Sequence, residues 1–477
     1  MCLGKVWYIL ALLQDTNGSI TNNMVKIVGK RNVLSNFEER YCYSVDATNV
    51  KELKRIATTV VFPRNTEDVS KIMRYAYKYS VPVVPRSAGT SVSGGALPLK
   101  SGIVLDFSKM DKILEINKDN LYCIAEPGVV IAKLQEKVKE QGLFYPPDPS
   151  SLAVSMLGGS IAMSSGGARS FKYGTTKDYV INLEVVLADG RVINTGVNCS
   201  KNVTGYNLTQ LFVGSEGTLG VITKATLRLI PQPASKKVLF AYFDSLEDTS
   251  NTVNNIISNL ITPSVIDILD KNTLLTIEKY NPVGLLTDKE AALLIEVDGE
   301  EETIKKQYEQ IIEICKSNRS AFIKTAETVE EMEKIWTTRR SSFGATAKLA
   351  PDVVTEDIVV PRENIVKAVR GIREICNKYN LKTCIMGHIG DGNIHPNFAL
   401  DLRNEEEYQN IQKAKGELFD LAISLNGTLS GEHGIGCEKM PYMKKALSKE
   451  VLDVMKAVKK VFDDKNILNP GKIFEQV

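Results

Sequence analysis

Residues 382–400, KTCIMGHIGDGNIHPNFAL, constrain this chain more tightly than any other stretch. Two apolar runs flank Gly390-Asp391-Gly392-Asn393, and a glycine-rich turn between two such runs reads as a β-hairpin. Counting outward from that turn pairs Ile389 with Ile394 and His388 with His395, so that two imidazoles face each other. Directly opposed residues have Cβ atoms roughly 4.5–5.5 Å apart, a spacing from which both rings can converge on one metal ion at about 2.0–2.1 Å. Asn397, two residues on, shares their face. The chain has only three histidines, and the third, His433, stands beside Glu432 between Gly431 and Gly434. A lone histidine is more often a satisfied polar residue than a ligand, but three gathered with a carboxylate among glycines reverse that balance. The spacing is not the H-E-x-x-H of a zinc protease helix, so it implies a metal or acid–base site without naming a reaction.

Around this hairpin the pattern is α+β. ATTVVF from residue 57 reads as a strand, Thr66 caps a helix to about Tyr79, and VPVVP is a strand before a glycine-rich turn. GIVLDF and LYCIAE continue the strands, a helix runs to Gln141, and INLEVVLADGRVI makes a hairpin at Asp189-Gly190. The PQP at 231–233 marks a boundary. VLFAYF, a helix near 247–260 and VIDILD then form one β-α-β unit; ALLIEV, a helix over about 301–317 and AFIKT form a second. Two such units predict an antiparallel sheet with helices on one side, a ferredoxin-like domain. Helical patterns at 362–380 and 404–425 flank the hairpin, and Asn426-Gly427 stops the second before GTLSGEHGIG. The expected divisions are an N-terminal extension (1–26), a first domain (27–233), a second (234–426) and a C-terminal segment (427–477). Met24 is a second candidate start.

Charge and cysteines narrow the function. Fifty-nine Lys and Arg against 57 Asp and Glu leave +2, without a basic block, so nucleic acid is excluded as the natural partner. None of the eight cysteines forms a C-x-x-C pair, which argues against a cluster, a structural zinc or a redox dithiol and fits a reducing cytoplasm. VWYILALL at 6–13 is too short to span a bilayer.

Three small-residue loops suggest an anion-binding role: PRSAGTSVSGG (85–95), LGGSIAMSSGG (157–167) and GSEGTLG (214–220). The first follows a strand, can aim successive N–H groups at a pyrophosphate, and carries Arg86. For that loop alone a Ser/Gly surface hairpin is an equal alternative. None is a G-x-G-x-x-G nicotinamide fingerprint or a G-x-x-x-x-G-K-[ST] loop.

With YPPDPSS, GGSIAMSSGGARSFKYGTT, EVVLADG, GSEGTLGVIT, W-T-T-R, GHIGDGNIH, GEHGIG and NPGK in order, the chain resembles the FAD-dependent 2-hydroxyacid dehydrogenases of the vanillyl-alcohol oxidase (PCMH-type) superfamily from about residue 27 to 477. These include the flavoprotein subunit of glycolate oxidase, D-lactate dehydrogenase and D-2-hydroxyglutarate dehydrogenase. The resemblance implies a PCMH-type FAD domain, a ferredoxin-like substrate (cap) domain, and a C-terminal segment that returns to the FAD domain.

It also implies roles for particular residues. Pro85, Arg86, Ser87, Ala88, Gly89, Thr90 and Ser91 would wrap the FAD pyrophosphate. Ser150, Ser151, Gly158, Gly159, Ala162, Gly166, Tyr173 and Gly174 would line the rest of the cofactor, with Glu216 and Ile222 at the adenosine. Ser87 replaces a usual glycine, which matters if its φ is positive. Superfamily members with tethered flavin use a histidine or cysteine near these loops; here the histidines lie elsewhere in sequence and Cys123 is the nearest cysteine, so FAD is expected to be non-covalent. His388, His395 and Glu432 match ligands of a divalent metal (Zn, Fe or Mn), His433 matches the base, and Arg339 the grip on the substrate carboxylate; Asn397 is expected to orient substrate or a ligand. Relatives that place a lysine and a threonine near the carboxylate are matched here by Thr355 and Phe343, which favours a short monocarboxylate such as D-lactate or glycolate.

The implied reaction removes the hydroxyl proton and moves the C2 hydride to flavin. A histidine of pKa about 6.5 is too weak a base for a free alcohol, whereas a bound cation can lower a ligand's pKa by several units. With no cluster cysteines in the chain, the electrons are expected to pass to an electron-transfer flavoprotein or an iron–sulfur subunit. A homodimer is a candidate assembly, and the chain is expected in the cytoplasm, at most peripheral to the membrane. Two other classes compete: a metal-dependent hydrolase using the same cluster with the loops purely structural, and a flavoprotein subunit that only relays electrons.

Overall fold

The computed structural model describes residues 19–49 and 55–475; the apolar 6–13 stretch and most of the expected N-terminal extension lie outside them. The first sheet of the N-terminal half is parallel through Thr59–Val61, Ile103–Asp106 and Val83–Arg86, with Val33–Leu34 antiparallel on its edge. The second is antiparallel, in the order 113–117, 122–125, 221–228, 180–186 and 192–194. Helix Thr66–Tyr79 joins them: Val69, Ile72, Met73 and Ala76 recur at helical spacing and pack on Val186, Ala188 and Val221. Its cap is Asn65 rather than Thr66. Asn65 Oδ1 accepts from the N–H of Asp68 at 2.9 Å, while Thr66 Oγ1 donates to Glu184.

The C-terminal half is one eight-stranded antiparallel sheet. The two β-α-β units appear at the expected places and pair in the order 322–325, 235–243, 291–299, 265–270, the ferredoxin-like arrangement. Helices on one side only is corrected. Leu239, Ala241, Leu293 and Ile295 face helices 246–258, 301–317, 365–378 and 405–424, while Phe240, Tyr242, Ala292 and Leu294 face helices 271–280 and 329–346. The reason is in the strands: VLFAYF and AALLI are unbroken apolar runs, and a strand apolar at every position is covered on both faces.

Hairpin 382–400 extends this sheet from strand 265–270. Its register is two residues off the expectation, with His388 opposite Asn393 and His395 opposite Met386, a shift that keeps each side chain on its face. The loop is Ile389-Gly390-Asp391-Gly392: Ile389 drops into the core, Asp391 Oδ1 accepts from the N–H of Asn393, and Gly392 turns at φ +85° against the Val360 carbonyl, where a Cβ would overlap. The imidazoles are therefore diagonal, still on one face, with ring centroids 5.2 Å apart.

The C-terminal segment returns to the first domain. Val83 N–H donates to the Ile467 carbonyl and Asn469 N–H to that of Val83, both at 2.8 Å, while Asn469 Nδ2 donates to the carbonyls of Gly95 and Glu216. Across the domains, Arg169 pairs with Glu296 at 3.2 Å, and Lys172 and Tyr173 bond Asp298.

Candidate active site

One cavity of about 690 Å³ runs between the halves, lined by the 85–91 loop, parts of 148–169 and 216–222, and by Arg339, Asn397 and all three histidines. That volume is typical of a small-molecule or cofactor site. A shallower pocket of about 290 Å³ near Arg373 holds none of the predicted residues.

Glu432 is the hub. Its Oε1 lies 3.3 Å from His395 Nε2, 3.7 Å from His388 Nε2 and 3.9 Å from His433 Nε2. The ligand atoms of His388, His395 and Glu432 fall within 4.8 Å of one another, an N/N/O set that suits a divalent transition metal. Burial works against charge on Glu432, but the hydrogen bond and charge of His388, with the other imidazoles, bring its pKa down to about 2. Burial drives His395 down to about 3, leaving it neutral, the form a metal ligand requires. For His388, burial is outweighed by the Asp267 and Glu432 carboxylates, which hold its pKa well above the usual value.

Two carboxylates that the sequence reading passed over hold this set in place. Asp267, opposite His388 on strand 265–270, accepts from His388 Nδ1 at 2.7 Å and from Arg339 Nε at 2.6 Å. Asp357 accepts from Lys439, from Ser430 Oγ and from the N–H groups of Gly431, Glu432 and His433, so it clamps the 430–433 corner. It lies 3.5 Å from His433 Nδ1. Burial opposes its charge, yet His433 and Lys439 keep its pKa well below the carboxylate range. The signal for both was a carboxylate set in an apolar run, VIDILD and TEDIVV, because a buried charge needs a partner.

On the cofactor side, the N–H groups of Ala88, Gly89, Thr90 and Ser91 find no acceptor among the described residues, which leaves a row of donors for a pyrophosphate. Ser87 has no positive φ, so its replacement of glycine needs no adjustment. Arg86 is turned from the expected phosphate position: its Nη1 donates to the Val45 carbonyl at 2.8 Å and the guanidinium lies over the Tyr43 ring. Glu216 likewise is engaged, accepting from the N–H groups of Ile435 and Gly436 at 2.7 Å, so it clasps the C-terminal segment.

Ser150, Ser151, Gly158, Gly159, Ala162 and Ile222 line the cavity; Gly166, Tyr173 and Gly174 do not. Gly166 abuts Glu432, where a Cβ would come within 2.9 Å of Oε2. Tyr173 is turned away by its bond to Asp298, and Gly174, at φ +80°, ends a short helix. Asn397 accepts from Thr355 Oγ1 at 2.8 Å. The three histidines, distant in sequence from the flavin loops, share their cavity in the fold. Cys123 is not the nearest cysteine: it is in the core, whereas Cys437 packs on Gly94 of the loop.

Comparison with known proteins accounts for this joining of glycine loops and histidine cluster. Residues 57–196 match the FAD binding domain family and residues 232–473 the FAD linked oxidases, C-terminal domain family. The glycolate oxidase subunit GlcD of Bacillus subtilis (strain 168) is 44% identical over 95% of this chain and 96% of its own length. The GlcD subunit of Escherichia coli (strain K12) is 33% identical over 92% and 88%, and a D-lactate dehydrogenase of Archaeoglobus fulgidus 37% over 88% and 91%. In structure, 4-ethylphenol oxidase from Gulosibacter chungangensis superposes with a TM-score of 0.79 over 96% of this chain and 97% of its own, at 19% identity. p-Cresol methylhydroxylase gives 0.78 over 96% of each, at 17% identity, so these two share the PCMH-type fold.

Proposed function

The chain belongs to the FAD linked oxidases and is an FAD-dependent oxidoreductase of the glycolate oxidase and D-lactate dehydrogenase type; from that premise we propose that it oxidises a short 2-hydroxy acid, D-lactate or glycolate, to the 2-oxo acid. Non-covalent FAD supplies the hydride acceptor, and a divalent metal at His388, His395 and Glu432 supplies the acidity that makes the substrate hydroxyl a reachable proton donor.

The observation that carries this reading is the convergence of three imidazole Nε2 atoms within 3.9 Å of Glu432 Oε1, in the cavity that also holds the open 88–91 amides. His433 accepts the hydroxyl proton at Nε2, with Asp357 3.5 Å from Nδ1. Arg339 gives Nε to Asp267 and Nη1 to Ser342 Oγ and Met386 sulfur, and offers Nη2 to the substrate carboxylate. Asn397, held by Thr355, orients the substrate.

Chain length is limited by charge. Arg169 is taken by Asp148 and Glu296, Lys236 by Glu296, and Arg340 by Glu333, so a second acidic group on a substrate meets cations already paired. The hydrolase reading has no support from relatives, and the full set of acid–base and carboxylate-binding residues argues against a bare electron relay.

Electrons leave to a partner protein, an electron-transfer flavoprotein or iron–sulfur subunit; two relatives carry the word subunit in their names. No helix among the described residues is long and apolar enough to cross a membrane, and we place the chain in the cytoplasm or at the membrane surface through its partner. Anaerobic titration with D-lactate, L-lactate, glycolate and D-2-hydroxyglutarate tests the substrate. Bleaching of the flavin by D-lactate or glycolate is expected; bleaching by D-2-hydroxyglutarate alone would overturn the monocarboxylate assignment.

A further inference from the structure

Asp267 is fully buried, and each of its oxygens serves a different element: Oδ1 holds His388 of strand 382–388, Oδ2 holds Arg339 of helix 329–346. Arg339 Nη1 also reaches Ser342 Oγ at 3.5 Å and Met386 sulfur at 3.4 Å, both neutral partners. We propose that Asp267 is a positioning residue that fixes the separation and orientation of the metal ligand His388 and the carboxylate-binding Arg339 as one unit. This rests on the functional reading above and deepens it.

Nδ1–H donation to Asp267 sets the His388 tautomer and points the Nε2 lone pair toward Glu432, the service a carboxylate performs for a metal-bound histidine. Occupying Nε of Arg339, with Nη1 on Ser342 Oγ and Met386 sulfur, fixes the guanidinium plane and leaves Nη2 for a substrate carboxylate. The two oxygens of one carboxylate cannot move independently. A 2-hydroxy acid presents its hydroxyl and carboxylate on adjacent carbons, so its two binding groups must keep a fixed spacing, and Asp267 is the only side chain among the described residues that hydrogen-bonds both His388 and Arg339. A role confined to neutralising a buried arginine would ask nothing of His388.

The test is Asp267→Asn in the FAD-loaded full chain, stripped of metal by chelation and titrated with Mn²⁺ by electron paramagnetic resonance, with steady-state kinetics at saturating Mn²⁺. The expected result is retained FAD, a Kd for Mn²⁺ raised about 10- to 100-fold, and a KM for the hydroxy acid raised more than kcat falls. In an Arg339→Ala background the same substitution should still weaken Mn²⁺ but leave KM unchanged. Wild-type Kd and KM in Asp267→Asn would overturn the proposal. If that variant does not fold, histidine-selective ¹⁵N NMR of the zinc-loaded wild type decides, because only three histidines contribute: an Nδ1–H tautomer at His388 supports the proposal and an Nε2–H tautomer contradicts it. Wild-type protein that takes up no Mn²⁺ overturns the metal reading and the His388 arm with it, and the KM comparison then decides the Arg339 arm.

Discussion

The two ends of the cavity are built on opposite principles. The cofactor end offers backbone: Ala88 to Ser91 present N–H groups without acceptors among the described residues, and the nearby cations Arg86 and Lys472 donate to main-chain carbonyls. The hydroxy-acid end offers side chains, and its charges come in pairs or larger groups, His388 and Arg339 on Asp267, three imidazoles around Glu432 and Lys439 on Asp357. Backbone recognition needs the loop's shape and tolerates changes of side chain. A network of buried charges does not, because removing one member leaves another unpaired.

The largest effect should come from His433→Ala, which removes the proposed base and keeps the carboxylates. FAD and metal should stay bound while the rate of flavin reduction falls about 10²- to 10⁴-fold; stopped-flow bleaching at the wild-type rate would assign the proton to another group. Arg339→Lys comes next. A point charge replaces the fork, and KM should rise about 10-fold or more, by the 1.5–3 kcal/mol of a charged hydrogen bond. Arg339→Lys with unchanged KM would sever the substrate carboxylate from this side chain.

The cofactor end should respond far less. Lys472 is buried, and burial lowers its pKa to about 8, the charges of Cys437, Asp46 and Glu216 compensating only in part. Its folded pKa lies below its unfolded value, so the unfolded chain holds the extra proton. The penalty is present in full below about pH 8 and is relieved as pH rises toward the ordinary lysine range. Lys472→Met should therefore flatten the rise of Tm with pH above 8 relative to wild type; parallel profiles would show the lysine is not the cause. Smallest of all, Ser87→Gly should change FAD affinity less than about 3-fold, since the serine is unstrained. A large gain in affinity would mean that the loop reshapes on binding.

The same contrast explains what could be read from the sequence. Strands and helices of both halves were legible because apolar periodicity sets them, and the histidine cluster was legible because all three histidines of the chain stand among glycines. The two-residue register shift arose because the turn is chosen by contacts remote in sequence, the burial of Ile389 and the Val360 carbonyl against Gly392. Asp267 and Asp357 could be suspected as charges in apolar runs, but their partners come from other elements. Tyr173, Glu216 and Arg86 sit in the flavin motifs, yet Asp298, the 435–436 amides and the Val45 carbonyl engage them, contacts that no local pattern encodes.

The central claim is that a metal held by His388, His395 and Glu432 works in one cavity with the flavin. Elemental analysis of purified enzyme beside its anaerobic rate of flavin bleaching by D-lactate or glycolate, before and after chelation, tests it most directly. The account predicts one divalent ion per FAD, and a chelated protein that keeps its FAD, loses substrate bleaching and recovers it when the ion returns. Full-rate bleaching by protein with FAD and no stoichiometric divalent ion would contradict it.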